Sequence, residues 1–355
     1  MNPSLQPGEA LPPTTAKPAA ASLGLSRQLR LLALCAGVLV LCFAMPLVSL
    51  ARLALHSDLY SHILLVPFVS FYLAWLRKPD LLALATPSAP GQDPAEEQPA
   101  TQGEDRIVGA DLAQSSTRNR KSRIPPPLAS LCLATGLLLL AGYFFALRSG
   151  LKLAPVDSLA WTTLSFVLFF LAASSFCLGK RTLRSLAFPL AFLVFLVPFP
   201  VVVKDAIESF LQHRSADAAE LLFGLAGTPL LRHGVDFQLP GFSLQVAPEC
   251  SGIRSSFVLF ITSLVAGQLF LRSPWKRALF ALAVIPLGIF RNAFRIVVIG
   301  ELCVHVDPGF IDSPIHHRGG PVFFAISMIP FLLLLYYLRK TDVRKHRSRD
   351  ATARV

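Results

Sequence analysis

Long apolar runs constrain this 355-residue chain more than any other feature. A helix crosses a bilayer with about 20 apolar residues. Lipid offers no partners to a backbone, so a crossing segment must satisfy its own N–H and C=O groups as a helix. By that rule about eight spans are expected, over 30–48, 59–76, 127–147, 157–178, 184–203, 255–271, 277–301 and 321–338. The chain is 15% charged, where a soluble domain carries roughly 25%. The fold class expected is therefore an all-α integral membrane protein. The net charge of +12 does not imply nucleic acid. Lys and Arg fall in short segments between apolar runs, without the interleaved aromatic and polar residues of a nucleic-acid groove.

The positions of those basic residues orient the spans. Lys17, Arg27 and Arg30 precede the first, and Arg118, Arg120, Lys121 and Arg123 lie between the second and third. Lys180, Arg181 and Arg184 lie between the fourth and fifth, and Arg272, Lys276 and Arg277 between the sixth and seventh. Arg339, Lys340, Arg344 and Lys345 follow the eighth. Alternate connections share one side, which the positive-inside rule assigns to the cytoplasm. Both termini are then cytoplasmic, in a cell (inner) membrane. Residues 1–29, Pro/Ala-rich and without a cleavable signal pattern, read as a disordered cytoplasmic tail. Residues 30–338 form the multi-pass domain, 79–126 a Pro/Gln/Glu-rich cytoplasmic linker, and 339–355 a basic cytoplasmic tail.

The opposite face carries the longest connection, 204–250. In its first part Ile207, Phe210, Leu211, Ala218, Leu221 and Leu222 recur near a helical period, predicting an external amphipathic helix. Its second part alternates: Val235, Phe237 and Leu239, then Phe242, Leu244 and Val246. Pro240-Gly241 between them suits the centre of a type II turn. A short β-hairpin is expected, ending just before Cys250.

Cys250 stands apart from Cys35, Cys42, Cys132, Cys177 and Cys303, which lie in or beside apolar runs. It sits beside polar groups and glycine where a loop becomes a helix, and the positive end of a helix dipole favours thiolate. The span at 277–301 contains Arg291, Asn292 and Arg295, its arginines four apart on one helix face. Arginine inside a membrane is usually functional or paired, and Glu301 is a candidate partner. His316 and His317 occupy the next external connection. The topology thus brings Cys250, Arg295 and the histidines to one membrane face. A thiolate attacks a carbonyl carbon, an imidazole moves the proton, and a guanidinium stabilises the oxyanion or holds the substrate. Blander roles are open for several residues. Arg291 reads as structural, His62 as a packing or cap residue, and Arg254 as a group that lowers the thiol pKa or meets headgroups. Cys250 and Cys303 near an oxidising face are the alternative, a disulfide. A metal site of Cys250, His316 and His317 lacks ligand spacing, so no metal or other cofactor is expected.

These residues resemble the exosortase/archaeosortase family of membrane cysteine proteases or transpeptidases. Glu249-Cys250-Ser251-Gly252-Ile253-Arg254 matches its cysteine motif, and Asn292-Ala293-Phe294-Arg295 its N-x-x-R motif. His316 with Gly320, Ser61-His62, and Pro189, Phe192, Leu193, Pro198 and Pro200 match its remaining elements. The resemblance implies Cys250 as nucleophile, Arg295 as catalytic partner and His316, or the adjacent His317, as proton carrier. His62, Arg254, Arg291 and Asn292 are candidates for supporting roles. It implies a partner as well: the C-terminal transmembrane sorting signal of an exported protein, cut through a thioester that water or an acceptor amine of the cell envelope resolves.

The competing class is a transporter or a non-catalytic component of exopolysaccharide export. There Arg291 and Arg295 would bind an anionic lipid or sugar phosphate.

Overall fold

The computed structural model describes residues 17–79, 127–247, 251–307, 309–310 and 320–352. The chain forms two compact units, one made of residues up to Ala54 with Ile63–Pro198, the other of Leu55–His62 with Phe199 onward.

In the first unit, helices α1 (Lys17–Cys42) and α2 (Ala44–His56) meet at a bend of 77°. Pro46 explains it, because its ring opposes the carbonyl four residues back, at Cys42. Helix α3 (Val66–Leu76) follows a 3-10 turn, Ser61–Leu64. Helices α4 (Pro127–Arg148) and α5 (Pro155–Cys177) run antiparallel in close contact. A Cβ on Gly136 would lie 2.8 Å from Phe169, and one on Gly142 would lie 3.1 Å from Trp161. The outer face of α4 shows Leu131, Leu138 and Phe145, seven apart and largely exposed. A row of large apolar side chains facing outward marks a surface made for lipid. Short helices α6 (Lys180–Ser185) and α7 (Ala187–Phe192) complete the unit, and the Ser70 hydroxyl donates to the Pro189 carbonyl at 2.7 Å.

The second unit opens with α8 (Val201–Ala226), capped by Pro200 and ended by Gly227 at φ 78°. A three-stranded antiparallel sheet follows: β1 (Leu231–His233), β2 (Asp236–Leu239) and β3 (Phe242–Gln245). Then come α9 (Ile253–Phe270), α10 (Pro274–Leu282), α11 (Val284–His305) and α12 (Gly320–Thr352). Pro286 faces the carbonyl of Leu282 four residues back, where α10 stops, and α10 and α11 together make one apolar segment. Helix α8 lies close against α11, because a Cβ on Gly300 would come within 2.5 Å of buried Phe223.

Five helices among the described residues are long and apolar enough to cross a membrane, or seven if each bent pair is one span. About eight were expected. The difference is 59–76, where Pro67 delays the helix until Val66. The 11 residues of α3 reach only about 16 Å, short of the roughly 30 Å hydrocarbon core. The expected span 184–203 is also broken. It divides into short helices before Pro198 and Pro200, and α8 starts only at Val201. Helix α1 begins at Lys17, within the segment read as a disordered tail, and α12 carries the helix through the basic stretch as far as Thr352. A formed apolar helix supplies the costly nucleus, so adjoining Ala-, Arg- and Lys-rich residues propagate it. The linker beyond Pro79 lies outside the described residues.

Just beyond the end of α9 a buried ionic network joins the 271–273 connection, α10 and α12. Lys276 is 3% exposed and Asp342 2%. The Lys276 Nζ lies 3.4 Å from Asp342 and donates to Thr341 Oγ1 at 3.0 Å and to the Leu338 carbonyl at 3.3 Å. Asp342 Oδ2 accepts the backbone N–H groups of Arg272 and Ser273. Removing one partner strands the other charge. Asp342→Ala is expected to lower stability by about 3–5 kcal/mol, read as thermal unfolding in detergent, and Lys276→Met with Asp342→Leu should recover most of it. An unchanged midpoint for Asp342→Ala would show that the pair is not desolvated.

Candidate active site

Two anchored chain segments converge on the middle of α11. The first comes from the sheet. Leu239 pairs with Phe242, so Pro240-Gly241 forms a two-residue turn with Gly241 at φ 74°. The hairpin is as expected, with β1 added to it. Strand β1 is only three residues long and carries two polar ones, so alternation did not signal it. Phe237, Leu239, Leu244 and Val246 share one face, buried with Ala216, Ala219 and Phe223 of α8 and Ala293, Ile296 and Val297 of α11.

Arg232 ties the sheet to α8. Its guanidinium reaches Asp217 at 2.8 Å and Glu220 at 2.7 Å. Burial works against its charge, and its hydrogen bonds to Asp217 and Glu220 outweigh that and raise its pKa above the usual arginine value. Gln212 Nε2 donates to the Val246 carbonyl. Val246 so held lines a cavity of about 20 Å³ with Leu244, Gln245, Asn292, Arg295, Ile296 and Ile299. The buried face of α8 is Leu211, Ser215, Ala216, Ala219 and Phe223. Phe210 and Leu221 are exposed, so α8 carries apolar residues on both sides.

The second segment is the start of α9. Its cap, Gly252, has φ 75°, in the left-handed region where a Cβ is strained. Arg291 Nη2 donates to the Gly252 carbonyl and to Ser256 Oγ, both at 3.3 Å. A Cβ on Gly252 would lie 3.1 Å from that Nη2 and 3.4 Å from Asn292. One turn on, a Cβ at Gly288 would lie 2.5 Å from Ser256 Oγ. The helices therefore meet through two glycines, and Arg291 (7% exposed) and Asn292 (3% exposed) are sealed between them. No carboxylate pairs with Arg291 among the described residues. Glu301 accepts the Thr228 hydroxyl and pairs with His305 at 3.1 Å.

A third piece docks on α9. Asp58 lies 2.9 Å from Arg254. The His62 ring meets Phe257 edge-on with centroids 4.8 Å apart, and Phe257 meets Phe199 at 4.7 Å. His62 Nδ1 bonds the Leu59 carbonyl at 3.0 Å, and the Tyr60 hydroxyl donates to the Phe199 carbonyl at 3.3 Å. Asp58 and Ser256 were not singled out from the sequence. Asp58 had no pattern to announce it, and Ser256 read as the start of an apolar run.

Of the candidate residues, Arg254, Arg291, Asn292 and His62 gather around the first two turns of α9, and Arg295 lies one turn along α11. Cys250, His316 and His317 lie outside the described residues, as does any bond from Cys250 to Cys303. Cys303 itself is 1% exposed within α11.

The fold is that of a mostly helical multi-pass membrane protein with a small sheet packed on one span. The model of the family described as transmembrane exosortase (Exosortase_EpsH) matches residues 108–333, which include the sheet and all of α9 to α11. The chain belongs to the transmembrane exosortase family. No curated protein and no solved structure gives a match.

Gly252→Ala places a side chain in a left-handed cap and against the Arg291 guanidinium. It is expected to destabilise the protein by about 1–2 kcal/mol from backbone strain alone, and more than Ser256→Ala in the same detergent melt. Equal midpoints for the two variants would contradict the close approach at Gly252.

Proposed function

We propose that the chain is a membrane-embedded cysteine peptidase or transpeptidase that cuts the C-terminal sorting signals of surface-targeted proteins through a thioester. One observation carries this reading. Val246 lines the cavity beside Asn292 and Arg295, and Gly252 carries the Arg291 contact. Both flanks of the segment that includes Cys250 are thus fixed on the same stretch of α11, the one bearing the N-x-x-R residues. Cys250 precedes Gly252 by two residues, and two residues of chain span at most about 7 Å.

In this reading Cys250 is the nucleophile. His316 or His317 takes its proton and returns it to the leaving amine. Arg295 holds the substrate beside the reacting carbonyl through a planar, bidentate donor set that lysine does not reproduce. Arg254, paired with Asp58, stands at the helix start, where thiolate is favoured. The site faces outward, the termini face the cytoplasm, and the substrate's own transmembrane helix approaches sideways through lipid. Family membership supports the reaction class, since the chain shares its match with transmembrane exosortases. The contacts of Arg291 with Gly252 and Ser256 favour this reading over a transporter, because they turn that cation toward the cysteine segment.

Cys250→Ala is expected to leave the protein inserted and folded while uncleaved substrate accumulates, read by immunoblot of a surface protein carrying a sorting signal. Unchanged processing would end the enzyme reading. Arg295→Lys is expected to cut turnover by at least tenfold with insertion intact. Normal turnover in that variant would remove Arg295 from the reacting carbonyl.

A further inference from the structure

The two edges of the small sheet are finished differently. Strand β1 forms one edge and β3 the other, with β2 between them. Free N–H and C=O groups at an edge recruit another strand, so natural sheets blunt their edges with charge, proline or a cover. The β1 edge is three residues long and carries Arg232 and His233. Arg232 also ties it to Asp217 and Glu220 of α8. The β3 edge, Phe242-Ser243-Leu244-Gln245, has neither charge nor proline.

The register tells which of its groups are open. The Val246 N–H donates to the Val235 carbonyl at 3.0 Å. In an antiparallel pair, every second residue bonds inward. Leu244 and Phe242, opposite Phe237 and Leu239, therefore turn their N–H and C=O toward β2. Ser243 and Gln245 turn theirs away from it, and both residues are exposed. Outside the ladder, no backbone hydrogen bond reaches either one among the described residues. Two donors and two acceptors thus stand along the edge, in pairs roughly 7 Å apart.

This edge runs beside α11. Gln245 lines the cavity with Asn292, Arg295, Ile296 and Ile299. At about 20 Å³ that cavity has room for about one water, so an occupant lies along the strand and not in the hole. Donors and acceptors repeating at a strand's spacing select one chemistry, an extended polypeptide backbone.

We propose that β3 is the docking edge for the substrate. The external segment of the sorting signal, next to its transmembrane helix, pairs with Ser243 and Gln245 as a fourth strand. It then passes along the Asn292–Arg295 stretch of α11. The inference deepens the peptidase reading above and rests on it. A strand bonded along one side uses only alternate peptide groups, so the carbonyls between them stay free for attack. Main-chain bonds hold the segment whatever its sequence, and side chains of α11 discriminate among sequences.

The first test uses proline in the full-length protein. Proline at 243 or 245 removes an outward N–H that β2 does not use, a change that edge strands accept. Ser243→Pro and Gln245→Pro are each expected to lower kcat/KM for a tagged sorting-signal protein about tenfold, the effect of roughly one lost hydrogen bond. Ser243→Ala and Gln245→Ala keep the N–H and should stay within about twofold. Wild-type kcat/KM in both proline variants overturns the proposal, as does an equal fall in the alanine variants. The second test needs neither proline nor cleavage, and it decides the matter if proline unfolds the sheet. In a Cys250→Ala background, Ser243→p-benzoylphenylalanine and Gln245→p-benzoylphenylalanine are expected to photo-cross-link to the tagged protein next to its transmembrane helix. His233→p-benzoylphenylalanine, on the guarded edge, should not. No adduct from β3, equal adducts from both edges, or an adduct only to a second copy of this chain overturns the proposal. The two readings fail separately. Processing that persists in Cys250→Ala removes the peptidase while a β3 adduct keeps the docking edge, and processing lost in Cys250→Ala without a β3 adduct does the reverse.

Discussion

A buried guanidinium resting on the carbonyl of a left-handed glycine is the contact on which the second unit depends. Arg291 sits inside an apolar helix, where an unsupported charge would be expensive. The Gly252 carbonyl and the Ser256 hydroxyl supply two acceptors for one of its arms. In return the start of α9 is held against α11 at a distance only glycines allow, at Gly252 and at Gly288. Because Gly252 follows Cys250 by two residues, the same contact ties the cysteine segment to the arginine helix.

The rest of the unit keeps that contact aligned. The sheet fixes the chain on the other side of Cys250 by burying Phe237, Leu239, Leu244 and Val246 on α8 and α11, with Arg232 as its outer tie. At the opposite end of α9, the Lys276–Asp342 pair and the ring contact of Phe280 with Phe331 at 4.7 Å join α10 to α12. Each end of α9 is thus fastened by polar groups, and its middle by apolar ones such as Leu259. Prolines set where helices stop: Pro46, Pro200 and Pro286 stand at the breaks that turn a continuous apolar run into separate elements.

Much of this was legible before any coordinates. Apolar length predicted the long spans, because lipid enforces helix wherever about 20 such residues occur together. Pro240-Gly241 between alternating apolar residues announced the hairpin, since turn chemistry is local. Arg291 and Arg295 shared a helix face by spacing alone. Long-range contact was less visible. The period of α8 fits two apolar faces, and only the position of α11 decides which is buried. The segment 59–76 is apolar enough for a span, yet Pro67 leaves too few helical residues. Sequence shows neither the Gly252 carbonyl nor the Ser256 hydroxyl that accept from Arg291. Asp58 is nearly 200 residues from Arg254, its partner at 2.9 Å, and no pattern in either neighbourhood anticipates the pair. Lys276 read as one more cytoplasmic charge, whereas its acceptors come from α12.

The central claim is that this membrane protein transfers an acyl group through the sulfur of Cys250. Hydroxylamine intercepts thioesters and leaves a hydroxamic acid on the released carbonyl. The direct measurement is mass spectrometry of the C-terminus of a sorting-signal protein processed by the wild-type chain with hydroxylamine present. The account predicts one cut site bearing a C-terminal hydroxamate. A plain carboxylate at that site under saturating hydroxylamine would contradict the thioester, and a substrate with its C-terminus intact would contradict cleavage altogether.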